Sequence, residues 1–175
     1  MTITQDQAKS SQHRLDAPSP GLSAALRITA GLLWLSNINW KAPPGFGKSA
    51  RGCGGLCGFV RSGTEHGFPG WSWLLEHLVL PHLTLFGYVT LLIEVSLAVL
   101  LLSGTLTRGA ALLGAFQSLV IGLSVANAPG EWYWSYLLMA GLHVAVFALA
   151  AGRSYGVDAM LRRRPGRPRW LDALT

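Results

Sequence analysis

The stretch Leu83–Leu102, LTLFGYVTLLIEVSLAVLLL, constrains this chain more than any other. It is almost wholly apolar, and its single charged residue, Glu94, sits near the middle. About 20 apolar residues cross a bilayer as a helix. A carboxylate at the centre of such a helix costs roughly 2.5–3.5 kcal/mol on insertion scales unless it faces protein or water. Glu94 therefore demands a partner.

Apolar residues make up 50% of the 175-residue chain and charged residues 13%, which is not the balance of an ordinary soluble domain. They gather in blocks: Leu22–Trp40, Leu83–Leu102, Gly109–Ala126 and Trp132–Ala151. Each block is long enough to span at ~1.5 Å per residue, and none has a polar face wide enough to sit in water. The expected fold is an all-α membrane protein, a four-transmembrane-helix bundle over residues 22–152. Residues 1–21 are polar and read as a disordered cytoplasmic arm, without the layout of a cleaved signal peptide. Residues 153–175 form a basic cytoplasmic tail.

Charge placement sets the expected orientation. With both termini cytoplasmic, the inner face takes Lys9, Arg14, Arg27, Arg108 and the tail arginines 153, 162, 163, 164, 167 and 169. The outer face takes only Lys41, Lys48, Arg51 and Arg61. This is the positive-inside pattern of a multi-pass protein in a bacterial cytoplasmic (inner) membrane, with the tail facing anionic lipid. Trp40, Trp71, Trp73, Trp132, Tyr133, Trp134 and Tyr136 then form an outer aromatic belt. The net charge of +6 is not interleaved with stacking aromatics, so nucleic acid is not an expected partner.

Residues 41–81 become a long extracytoplasmic loop between helices 1 and 2. Its Gly- and Pro-rich first half is expected to be irregular, and WSWLLEHLVL in its second half a short interfacial helix. Span three carries a small residue at every fourth position, Ala110, Gly114, Ser118, Gly122 and Ala126, a ridge that lets another helix approach closely.

Glu94, Gln117 and His143 each lie eight residues from the inner end of their span, roughly 12 Å deep, and Arg27 lies roughly 7–8 Å deep in span one. In a bundle these groups converge on one layer. Arg27 either snorkels to the inner head groups or pairs with Glu94. Gln117 is interhelical glue or part of a site. His143 is a hydrogen-bonded core histidine or, beside Glu94, part of a proton relay or quinone site.

Cys53 and Cys57 lie in the outer loop at C-x-x-x-C spacing. They form either a structural disulfide or a redox-active, sulfur-handling pair flanked by Lys48, Arg51 and Arg61. The candidate catalytic set is Glu94, His143, Cys53 and Cys57. The histidines show no ligand spacing, so no metal is expected, and no haem or flavin motif is present.

Four short motifs resemble the DoxX/DoxD-like membrane proteins: RITAG around Arg27, IEVSLAVLLLSGTLTR from the mid-span Glu94 to Arg108, Asn127-x-Pro129-Gly130-Glu131-Trp132, and GRSYGVD ending at Asp158. Arg27, Glu94, Arg108, Glu131 and Trp132 are the matching positions. DoxD is the small subunit of thiosulfate:quinone oxidoreductase. The resemblance implies a redox-linked membrane subunit that oxidises a small sulfur anion, passes electrons to membrane quinone, and works beside a second redox subunit or as a homo-oligomer. Two other readings stay open: a non-catalytic membrane anchor that recruits a soluble oxidoreductase, and a small weak-acid transporter, the latter without a broken helix or inverted repeat.

Overall fold

A computed structural model describes residues 19–164, 166 and 168–175, with residue 169 described by its backbone. The expected arm up to residue 18, including Lys9, His13 and Arg14, lies outside the described residues, as do Arg167 and the Arg169 side chain.

The first helix, α1 (Pro20–Ser36), starts where Ser19 accepts a hydrogen bond from the Leu22 amide (3.2 Å) and Pro20 fills the first helical position. It ends four residues before the apolar block does. Ser36, Asn37 and Asn39 follow the last leucine, and such short polar side chains favour turns over helix. The span expected over Leu22–Trp40 is thus a 17-residue helix followed by a turn.

The expectation of an irregular first half of the loop fails. A small antiparallel hairpin, β1 (Lys48–Ser49) with β2 (Gly52–Cys53), leads into α2 (Gly55–His66), a 12-residue helix. Its glycines cost helix stability in isolation, but here they serve packing. Leu56, Cys57 and Val60 are buried on one face, and Gly63 lies so close to the Ser124 carbonyl that a side chain there would strike it at 2.8 Å. Then α3 (Pro69–Leu74) runs on through a π turn, Leu75–Val79.

Three apolar helices follow: α4 (Leu83–Ser103), α5 (Thr107–Val125) and α6 (Tyr133–Ala148). A 3₁₀ turn (Ala151–Arg153) and two short helices, α7 (Val157–Leu161) and α8 (Arg169–Leu174), end the chain. α1 lies against α4 and α6, and α5 makes its most extensive contact with α6. The small-residue ridge of α5 explains that contact: Gly114 abuts the His143 ring and Gly122 the Tyr136 Cβ. Ala30, Trp34, Leu97, Leu101, Ala111 and Val146 form the core between these helices.

α4 and α5 are long and apolar enough to cross a membrane, and α6 is a shorter apolar helix. Their outward faces are also apolar. Leu85, Leu92 (68% exposed) and Val99 on α4, and Leu112 and Phe116 on α5, point away from the protein. Apolar patches of that extent are rare on proteins dissolved in water.

Candidate functional site

The buried face of α4 recurs at Gly87, Glu94 and Leu101, seven residues apart, so Glu94 points into the protein and is 0% exposed. Its partner is Lys41. The Lys41 ammonium lies 2.6 Å from Glu94 Oε2 and donates a second hydrogen bond to the Asn37 carbonyl (3.0 Å) at the end of α1. Because α1 stops at Ser36, the following turn folds back inward. Phe46, in the same loop, is fully buried against Gly87, where any Cβ would collide with its ring. A lysine expected on the outer face is thus inside the protein and 2% exposed. Burial pulls the Lys41 ammonium below the ordinary lysine range, against the opposing effect of Glu94.

Arg27 does not pair with Glu94. Its guanidinium donates to the Leu101 (2.5 Å) and Leu102 (2.9 Å) carbonyls and to the Tyr155 carbonyl (3.5 Å). Leu101 and Leu102 lie in the last turn of α4, where helical partners run out and the helix dipole favours a cation. Gly104 closes α4 in the left-handed conformation (φ 70°), packed against this guanidinium. Arg27 sits about 13 Å below the end of α1, since nine residues separate it from Ser36. That places it with the end of α4 rather than with Glu94.

His143 does not join Glu94 either. The Trp34 indole N–H donates to its Nε2 (2.8 Å), and its Nδ1 faces the Met139 carbonyl (2.7 Å). Both contacts are satisfied only by a neutral ring with its proton on Nδ1. No ring nitrogen remains for a relay or ligand. Gln117 does lie near Glu94: it lines a cavity of about 210 Å³ with Phe59, Trp71 and Phe86. A second cavity of about 80 Å³, lined by Lys41, Glu94, Asn37 and Tyr136, adjoins it, and Phe59, Thr90 and Ile121 border both. Glu94 Oε1 has no hydrogen-bond partner among the described residues. A buried carboxylate oxygen without a donor is costly. Glu94 itself lines the smaller cavity.

The remaining motif residues hold the other end of the molecule. Asp158, fully buried, accepts hydrogen bonds from the Leu106 (2.7 Å) and Thr107 (2.9 Å) amides and caps α5 from a distant stretch of chain. Its own amide donates to the Gly104 carbonyl (2.9 Å). Gly152 permits this, because a side chain there would overlap both Thr107 and Asp158. Arg108 stacks its guanidinium over the Phe147 ring at 4.3 Å. At the opposite end, Glu131 accepts a hydrogen bond from the Tyr136 hydroxyl (3.1 Å), and Trp132 is exposed and stacked on Trp134.

Cys53 and Cys57 are joined in a disulfide. They border a surface cleft of about 500 Å³ with Lys48 and Arg61, but Glu65 and Glu76 line it too, and Arg61 pairs with Glu65 at 3.5 Å. The cleft is charge-balanced rather than basic, and Arg51 is not part of its lining. Sequence reasoning missed Lys41 as the partner of Glu94 because the pairing depends on where α1 ends. It missed Trp34 as the partner of His143 because tryptophan on an apolar helix carries no signal of its hydrogen bond.

A family model described as TQO small subunit DoxD matches residues 23–171. No curated protein and no solved structure matches the chain.

Proposed function

The chain belongs to the DoxD family, and on that premise we propose that it is a redox-linked subunit of a thiosulfate:quinone oxidoreductase whose quinone site is the pair of cavities beside Glu94. The observation that carries this reading is Glu94, with one carboxylate oxygen that has no hydrogen-bond partner among the described residues, lining a mostly apolar pair of cavities. Small-molecule sites are mostly apolar cavities with a few placed polar groups. A flat aromatic head group suits Phe59, Trp71 and Phe86, with Gln117 and Glu94 as the polar groups that fix its ends.

A bound quinone supplies an acceptor for two electrons and two protons. The chain's own residues bind and manage protons. Glu94 Oε1 accepts a hydrogen bond when ionised and donates one when protonated, while Lys41 stays on Oε2. The Lys41–Glu94 pair is net neutral, so it sits in an apolar interior at less cost than either charge alone. The sulfur anion and the electrons are assigned to a second redox subunit or to a larger assembly.

The same reading places α1, α4, α5 and α6 as four membrane spans with both termini in the cytoplasm of a bacterial inner membrane. Exposed leucines along α1 (Leu22, Leu32, Leu33 and Leu35) support α1 as a span despite its 17 residues. The exposed aromatics Trp40, Trp73, Trp132, Tyr133 and Trp134 support an outer interface at the start of α6, with Arg108, Arg153, Arg163 and Arg164 at the other end.

The test is thiosulfate-dependent reduction of a short-chain ubiquinone by the purified protein, with and without copurifying subunits. Glu94→Gln should lower turnover by at least about tenfold, the scale of a lost proton-transfer group. Unchanged turnover in that variant overturns the assignment of the site.

A second reading, a non-catalytic anchor, is favoured by one observation. Arg27 and Asp158 spend their functional groups on holding helix ends together, with Gly104 closing α4 between them. It predicts that removing residues 162–169 abolishes partner copurification and that Glu94→Gln leaves turnover of the assembly intact.

A further inference from the structure

Glu94 is fully buried, and a buried carboxylate that exchanges protons needs a route to water. Tyr136 supplies one. It lines the 80 Å³ cavity that Glu94 and Lys41 also line, and its hydroxyl is 3.1 Å from Glu131, which is exposed. Gly122 on α5 lets the tyrosine lie close: a Cβ there would meet the Tyr136 Cβ at 2.9 Å. The cavity is large enough for about two waters, and a water needs only about 10–15 Å³ of such space together with two to four polar partners. Glu94, Lys41, Asn37 and Tyr136 are the groups that can provide them.

We propose that Glu131 and Tyr136 are the proton port of Glu94, connecting it to the surface at the start of α6. The transfer balances one proton at a time. A proton from bulk water binds the Glu131 carboxylate, whose new O–H donates to the tyrosine oxygen. The tyrosine hydroxyl, released from Glu131, gives its own proton to cavity water, and that water passes one proton on to Glu94 Oε1 and remains neutral. When Tyr136 takes the Glu131 proton it is neutral again, as it was before. Lys41 is the charged group that faces Glu94 in the cavity, and it stays bound to Oε2 throughout. This inference rests on the site proposed above, but it concerns proton access rather than quinone binding, and the two can fail separately.

The experiment follows the infrared carboxyl band of Glu94 after rapid acidification of the full-length protein in detergent, the band being identified by its loss in Glu94→Gln. In Tyr136→Phe the band should rise at least about tenfold more slowly, the low end of what a positioned proton-transfer group contributes. Glu131→Gln, which keeps an acceptor for the Tyr136 hydroxyl but no carboxylate to carry the proton, should also slow it. Wild-type rates in both variants overturn the port, as does the absence of any Glu94-dependent band. Binding of a short-chain ubiquinone, read by tryptophan fluorescence quenching, is measured alongside. Slowed protonation without quinone binding keeps the port and rejects the quinone site. Quinone binding with unslowed protonation does the reverse.

Discussion

Lys41 reaches back from the turn after α1 to place its ammonium 2.6 Å from Glu94 Oε2, with both side chains out of contact with solvent. One ion pair thereby ties the loop to the middle of the most apolar helix in the chain.

Breaking that pair from one side should be far worse than removing it whole. Lys41→Met leaves an ionised or newly protonated carboxylate alone in the interior, and should lower stability by about 3–5 kcal/mol. Lys41→Met combined with Glu94→Gln should recover most of the loss. Denaturant titration in detergent micelles of the two single variants and the double variant measures the coupling. Additive losses would mean that the two residues are independent.

Asp158 caps α5 through two backbone amides. Asp158→Ala should cost about 1–2 kcal/mol, while Asp158→Asn, which keeps one acceptor oxygen, should cost less. The ordering of melting temperatures (Ala below Asn below wild type) checks the cap. Equal values for Ala and wild type would rule it out.

Gly114 and His143 form a steric pair. Gly114→Ala drives a methyl group into the imidazole and should destabilise by about 1–3 kcal/mol. In a His143→Ala background the same change should be nearly free. A double-variant cycle reads the interaction directly, and a full penalty in both backgrounds would contradict the contact.

The Cys53–Cys57 disulfide closes a short loop at the start of α2. Replacing both cysteines with serine should lower stability by about 2 kcal/mol, the chain-entropy value for so small a loop. Thiosulfate-dependent quinone reduction should stay near the wild-type rate, because the cleft beside the disulfide carries Glu65 and Glu76 as well as cations. Loss of turnover with the fold retained would assign the cysteines to the chemistry.

Local chemistry alone determined a good deal of this protein. Block hydrophobicity fixed where α4, α5 and α6 run to within three residues, because an apolar stretch in an apolar setting has little choice but to satisfy its backbone as helix. The small-residue ridge of α5 marked the surface that α6 approaches. The demand that Glu94 be met also came from one residue and its surroundings. What met it did not. Arg27 lies within α1 and Lys41 just beyond it, and the stopping point of α1 at Ser36 turns Lys41 inward and leaves Arg27 at the end of α4. Equal depth is not contact. Whether Glu94, Gln117 and His143 share a chamber depends on the rotation of each helix about its axis, which packing decides. That rotation gives His143 to Trp34, leaves Gln117 and Glu94 on adjoining cavities, and leaves Oε1 without a donor among the described residues.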